Sequence, residues 1–392
     1  MKNKLFSQLP NWLIGVLLLG LLSIGIFMGI KSNDNQHINI KNQQTIKRVS
    51  IADASIGNSR NDQSTMIRLN DGRLLVAYSH FGSTSKDHDK SAIYFQTSAD
   101  DGDTWSTKEE LIATISLGTY IPSLYKKENG NVLLIFSVKE SIEPNTTSIR
   151  QIEFSPDLTS TVVKEHVLVS GGYFPTGSDR LFYDKVREKL LMPYQVLIEG
   201  PGWSVGSKYH TQVLVSGDDG DSWEDSGIII EGFLDDKGLG GAMEPGIYKN
   251  KDRLTVYSRN LIGKVGACDI VWDGKGYSKD KEYKMRLEAK NAMSSIKYIK
   301  LIRGWIATYT RLRETDTPIS YNRAQIDVSF SSNGLDWKKV FTVDDIEQVG
   351  GDMINEPNIF IEDNRVFITY SITGNVEGTY DLKLLQLPLT VF

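Results

Sequence analysis

An eight-residue phrase occurs twice in this chain, SADDGDTW from Ser98 to Trp105 and SGDDGDSW from Ser216 to Trp223. A degenerate third copy, FSSNGLDW, runs from Phe330 to Trp337. The three tryptophans stand 118 and 114 residues apart. A phrase returning at a near-constant interval implies a repeat architecture, which limits the possible folds more than any local propensity does. The phrase also has a local logic. An Asp-x-Gly core makes a turn, because the carboxylate accepts from nearby backbone N–H groups and glycine takes a positive φ at little cost. The tryptophan can then tuck beneath as an apolar plug. Strand-like runs precede the first two copies (Ala92–Phe95 and Gln212–Val215), so each reads as the turn of a β-hairpin and as a structural staple.

A longer repeat lies behind these turns: an apolar strand, a polar turn, then a strand ending on an aromatic residue. Its six copies cover 64–79, 122–137, 178–195, 245–258, 294–310 and 357–371. Their terminal aromatics, Tyr78, Phe136, Tyr194, Tyr257, Tyr309 and Tyr370, are 58, 58, 63, 52 and 61 residues apart. Units of roughly sixty residues with room for four strands predict an all-β, six-bladed β-propeller over 46–392. The aspartate-rich turns then fall on the first, third and fifth blades. Radial closure would remove exposed edges, with a strand near 45–51 completing the last blade beside 382–387.

Ahead of the propeller, Trp12 to Ile30 form 19 residues without a charge, long enough to cross a bilayer. Lys2 and Lys4 precede the run and no small-x-small cleavage site follows it. The expected organisation is a short cytoplasmic tail (1–10), a transmembrane helix (11–31), a polar linker (32–45) and a propeller outside the cytoplasm. Cleavage of the apolar run would give a secreted protein instead. A net charge of −5, a pI near 5.7 and the lack of a basic run argue against nucleic acid as a partner. One cysteine, Cys268, permits neither an intrachain disulfide nor a cysteine-based zinc site. The five histidines show no metal-ligand spacing. No metal and no cofactor are expected.

In an antiparallel hairpin the start of the first strand and the end of the second meet at one end. Residues flanking each repeat should therefore converge. They include Arg60, Asp62 and His80 (first unit), Tyr120 (second), Tyr173 and Asp179 (third), Glu244 and Arg259 (fourth), Arg311 and Arg313 (fifth), and Asn355 and Glu356 (sixth). Asp87, His88 and Asp89 lie on the loop after the first unit. Converging guanidinium groups suit a carboxylate ligand. Neighbouring carboxylates suit acid, base or nucleophile roles.

The Ser-x-Asp-x-Gly-x-(Thr/Ser)-Trp phrase resembles the Asp-box of sialidases and related BNR-repeat propellers. EPGIYKNKDRLTVYSR, Glu244 to Arg259, resembles the sialidase segment in which a glutamate and an arginine stand fifteen residues apart. The resemblance implies that Glu244 polarises the nucleophile and that Arg60, Arg259 and Arg311 hold the carboxylate of a terminal acidic sugar, sialic acid foremost. It also implies that Asp87 or Asp89 is the acid/base. The partner would be an acidic glycan or glycoconjugate, with the membrane bound through the apolar helix. The usual tyrosine nucleophile is missing before the last repeat, where Ile354-Asn355-Glu356-Pro357 stands. Three alternatives follow: another tyrosine (Tyr120 or Tyr380) reaches in, a carboxylate such as Glu356 serves and the sugar differs, or the propeller binds glycans without cleaving them.

Overall fold

A computed structural model describes residues 46–392 apart from 88, 203–204, 262–264, 288, 290–291, 313–322, 346–352 and 363. The segment expected to span a membrane, 11–31, lies outside the described residues, among which no helix is long and apolar enough to cross a bilayer.

The described chain is all-β, with one short 3-10 turn at Leu389–Val391. After β1 (Lys47–Ala52), the strands form successive antiparallel groups of four. The first comprises β2 (Arg60–Arg68), β3 (Leu74–Phe81), β4 (Ser91–Ser98) and β5 (Glu109–Ile112). The second comprises β6 (Gly118–Lys126), β7 (Val132–Ser141), β8 (Thr146–Phe154) and β9 (Thr161–Gly172). The third comprises β10 (Phe182–Asp184), β11 (Lys189–Glu199), β12 (Lys208–Ser216) and β13 (Glu224–Ile230). The fourth comprises β14 (Met243–Asn250), β15 (Arg253–Arg259), β16 (Gly266–Trp272) and β17 (Tyr277–Lys284). The fifth comprises β18 (Ser294–Ile299), β19 (Gly304–Leu312), β20 (Arg323–Ser331) and β21 (Lys338–Asp345). The sixth comprises β22 (Ile354–Glu362), β23 (Arg365–Thr373) and β24 (Tyr380–Pro388), and β1 pairs with β24 to complete it. A single parallel pairing, Arg60 with Tyr380, joins the sixth group to the first.

The second strands are apolar runs because both of their faces are covered. In β3, alternation sends Leu75 and Ala77 into a cluster with Leu134 and Phe136 of the second group, and Leu74, Val76 and Tyr78 into one with Leu382 and Leu384 of the sixth. The same division recurs around the molecule. The main clusters lie between the first and second groups, the second and third, the third and fourth, the fourth and fifth, the fifth and sixth, and the sixth and first. The core is therefore distributed between neighbouring sheets in a propeller-like arrangement.

The heads of β2, β6, β14 and β22 share an irregularity that positions the site. Their register with the second strand shifts between Asp62 and Thr65, Tyr120 and Ser123, Met243 and Gly246, and Asn355 and Asn358. A left-handed residue sits in each bulge: Gln63 (φ 50), Ile121 (φ 59), Glu244 (φ 44) and Glu356 (φ 52). Bulges of this kind re-aim side chains, and a non-glycine residue held at positive φ costs conformational energy. Here they present two glutamates at the sheet heads.

Candidate functional site

Arg60 opens β2 and is almost wholly buried. Its Nε donates to Asp62 Oδ2 at 2.5 Å, and its Nη1 donates to Asp87 Oδ1 at 2.6 Å and to the Ser85 carbonyl at 2.8 Å. The guanidinium lies 4.3 Å from the centre of the Phe81 ring. Burial pushes Asp62 up to about 6 despite the opposing charge of Arg60. Asp87, by contrast, is exposed on its loop.

Across the cleft, Arg259 closes β15 and donates from Nη1 to both oxygens of Glu244, each at 2.8 Å. The Glu244 backbone N–H donates to Gln195 Oε1 of the third group, which fixes the bulge that carries the carboxylate. Arg323 opens β20 and is also buried. It donates to Asn355 Oδ1, and its Nη1 lies 3.8 Å from Glu356 Oε1. Asn355 Nδ2 donates to the same glutamate oxygen at 3.1 Å. Burial raises Glu356 to about 7, and the charges of Glu244 and Asp62 push the same way, showing that the three carboxyls share one field. Two deeply buried atoms here, Asp62 Oδ1 and Arg323 Nε, have no hydrogen-bond partner among the described residues.

The second and third groups supply a different wall. Tyr120 is buried against Phe81 and Ile121. Lys139, near the end of β7, is 5% exposed, with its Nζ bonded to Asn145 Oδ1 and 5.1 Å from the Tyr173 ring centre. Tyr209 donates to the Gly202 carbonyl, and its ring lies 6.4 Å from that of Tyr173. Burial holds the Tyr120, Tyr173 and Tyr209 phenols protonated, well above their ordinary range. A cavity of about 480 Å³ lies at the opposite end of the first strands, lined by Phe182, Tyr248, Tyr298 and Phe360 around an Asp179–Lys297 ion pair. It contains none of the arginine–carboxylate pairs, so the chemistry belongs to the sheet heads.

Residues 72–371 match the BNR repeat-like domain, more than half of the chain. The chain belongs to the BNR repeat-like family. No curated protein matches it. Among solved structures, this BNR repeat-like chain is similar to a protein of unknown function from Dyadobacter fermentans (TM-score 0.64, 14% identity, 87% of this chain and 99% of that one covered). It is also similar to Trypanosoma rangeli sialidase (TM-score 0.65, 13% identity, 88% of this chain and 60% of that one). A third similar structure is the NanB sialidase of Streptococcus pneumoniae (TM-score 0.61, 12% identity, 88% of this chain and 70% of that one). The chain thus spans less than two thirds of the trypanosomal structure. At these identities the likeness establishes a shared fold.

Of the residues singled out in this BNR repeat-like sequence, Arg60, Asp87, Tyr120, Glu244, Arg259 and Glu356 come together. Arg311 and Asp89 do not join them. The Arg311 side chain bonds to Gln325 Oε1 and pairs with Asp327 Oδ2 at 3.1 Å, on the face of its own sheet. From Ser294 to Ile299, β18 pairs with β19 without a register shift, and the Arg311 side chain takes its partners from β20. Asp89 Oδ2 accepts from the Thr84 backbone N–H at 2.6 Å and so closes its own loop. His88 and Arg313 lie outside the described residues. Tyr380 pairs through its backbone with the Arg60 strand. The reading of the sequence missed Arg323 and Lys139. Arg323 begins a third strand, outside the repeated strand pair that the sequence pattern marks. Lys139 stands three residues beyond Phe136, where the sequence does not separate it from an ordinary strand-end lysine.

Proposed function

We propose that this protein is an exo-acting glycoside hydrolase on a six-bladed propeller, removing a terminal acidic sugar, sialic acid foremost, from a glycan or glycoconjugate. The observation that carries the reading is the convergence of Arg60, Arg259 and Arg323 with Asp87, Glu244 and Glu356 at one end of the sheets. Guanidinium groups recognise carboxylates in a planar, permanently charged manner. The sialidase likeness of the fold supports the same reaction class. On its sequence, the uncharged run 12–30 is proposed as a membrane anchor that leaves the propeller outside the cytoplasm.

Carboxyl groups whose environments differ can divide acid and base work. Glu244, spanned by Arg259, is placed to act either as nucleophile or as base. Glu356, raised to about 7, retains a proton near neutrality and can protonate a leaving oxygen. Asp87, held by Arg60, is the alternative acid/base on the rim. A second reading has its own support. Each arginine already carries a carboxylate of this chain, and Glu356 stands where a sialidase places its tyrosine. Those facts favour a neutral sugar processed by a glutamate pair.

The test is hydrolysis of a fluorogenic sialoside by the full-length chain beside Glu244→Gln, across pH. We expect release of sialic acid that Glu244→Gln lowers by about 10³-fold. The rate should fall as pH rises through about 7, because Glu356 loses its proton there. Hydrolysis of neutral glycosides alone would select the second reading, and glycan binding without hydrolysis of either would leave a lectin-like module.

A further inference from the structure

The cleft has two unlike sides. The first, fourth, fifth and sixth groups contribute arginine–carboxylate pairs, whereas the second and third contribute Tyr120, Lys139, Tyr173 and Tyr209. Because neighbouring groups pack in order around the molecule, these sides face each other across the sheet heads. Lys139 is the cation of the tyrosine side. Its stem is buried, its ammonium bonds to Asn145 Oδ1, and the Tyr173 ring lies within cation–π range. The mount is tight: a Cβ on Gly202 would lie 2.5 Å from Asn145 Nδ2 and 3.2 Å from the Tyr173 ring, so the loop can approach only as glycine. The positive φ of Gly202, 103°, imposes the same choice.

Asp87 shows what reaches this ammonium. Its carboxylate is ion-paired to Arg60, and its charge is also felt by Lys139, Arg323, Tyr120 and Tyr173. An anionic or acceptor-rich group in the cleft mouth therefore lies in the field of both sides at once. Burying a lysine is costly unless its charge is used or compensated.

We infer that Lys139 is a specificity-determining residue of the cleft, reading an acceptor-rich substituent on the edge of the sugar opposite the arginines. The ligand class is an acidic sugar with a second polar arm, an amide or a polyhydroxyl side chain, rather than a plain uronic acid. This rests on the proposed glycan-directed function of the same cleft. Tyr120 and Tyr173 flank the arm, with phenols that burial keeps as donors. Burial lowers Lys139 to about 8, with the Asp87 charge opposing that fall, so its reading of the arm weakens above that pH. The groups around it include Asp87 from the first group's loop, Asn145 from its own hairpin, and Tyr173.

The experiment compares the full-length chain with Lys139→Met and Lys139→Arg. Binding of N-acetylneuraminic acid and of glucuronic acid is measured by calorimetry, and hydrolysis of their fluorogenic glycosides is followed alongside. Lys139→Met should weaken N-acetylneuraminic acid by about tenfold or more, as a lost charge-assisted bond does, and leave glucuronic acid within twofold. KM should rise with little change in kcat. Lys139→Arg should retain affinity between pH 7 and 9, where the wild type loses it. Equal loss for both sugars, or no loss, overturns the assignment. Binding that depends on Lys139 without any hydrolysis supports the subsite and removes the hydrolase. Neither binding nor hydrolysis of either sugar by the wild type overturns both.

Discussion

Asp100 and Asp218, in the repeated turns, are held by their own loops. Asp62 and Glu356, at the other end of the sheets, are buried beside the guanidinium groups of Arg60 and Arg323. Asp218 accepts from the Ser216 hydroxyl, the Ser222 N–H and the Ser222 hydroxyl at 2.8, 2.8 and 2.5 Å, and Asp100 repeats the pattern with Ser98 and Thr104. Each turn then reaches to the preceding group. Gly220, at φ 95°, lets its backbone lie against Leu133, where a Cβ would come within 2.7 Å of Cδ2. Trp223 donates to Gln151, and Asp221 pairs with the buried Lys127 at 2.6 Å. The turns thus fasten the first group to the sixth (Asp101 to Arg365), the third to the second, and the fifth to the fourth (Arg286 to Asp336). In the cleft, the arginines of the ion pairs are buried, the Arg323–Glu356 pair joins two sheets, and two polar atoms are left over. Local satisfaction gives a staple, whereas imperfectly compensated burial leaves charge available to a ligand.

The sharpest way to break this contrast is at Arg323. Its replacement by alanine removes the only guanidinium facing Glu356 within 4 Å among the described residues. We expect KM for an acidic sugar to rise by about 100-fold, as for loss of a buried charge-assisted contact, while circular dichroism and the melting temperature show a folded chain. An unchanged KM would mean that the cleft's carboxylates, and not its arginines, make the site.

The corresponding change at the other end is Asp218→Ala. It removes three local hydrogen bonds from a partly exposed turn. About 1–2 kcal/mol of stability should go, seen as a fall of about 2–4 °C in Tm, with kcat/KM unaltered. Asn333→Ala in the degenerate copy should cost less, because that side chain accepts mainly from backbone N–H groups and is uncharged. A loss of activity in Asp218→Ala without a loss of stability would erase the division between the two ends.

These two ends were not equally legible in the sequence. The turns were readable because everything they need is local: an Asp-x-Gly core, a following hydroxyl and a tryptophan at a repeating interval. The strand pairs were readable for a related reason, since β3 and β7 write their double burial as unbroken apolar runs. The pairing of β1 with β24 could be anticipated from the need to close the last group. The cleft depends on register. Glu244 and Arg259 were found together because the bulge at Met243–Gly246 places them side by side on adjacent strands. The same counting rule puts Arg311 at its strand end, but the side chain turns to Gln325 and Asp327 on its own sheet, and no residue count could reveal that. Arg323 opens a third strand, and the strand-pair repeat does not fix where that strand begins. Lys139 looks like any strand-end lysine until Asn145 and Tyr173 are folded around it.

The smallest expected effect is the most direct check on that account. Arg311 is about one third exposed and shares Asp327 with the Thr342 hydroxyl at 2.7 Å and Lys339 at 3.5 Å. Removing its guanidinium leaves the buried Asp327 with both of those partners, and a partly exposed ion pair contributes about 0–1 kcal/mol. Arg311→Ala should therefore shift Tm only slightly and leave KM for an acidic sugar within twofold of the wild type, against about 100-fold for Arg323→Ala. A large KM effect at Arg311 would mean that its side chain leaves Gln325 and Asp327 when a ligand arrives. The counting rule from the sequence would then describe the bound cleft better than the geometry seen without one.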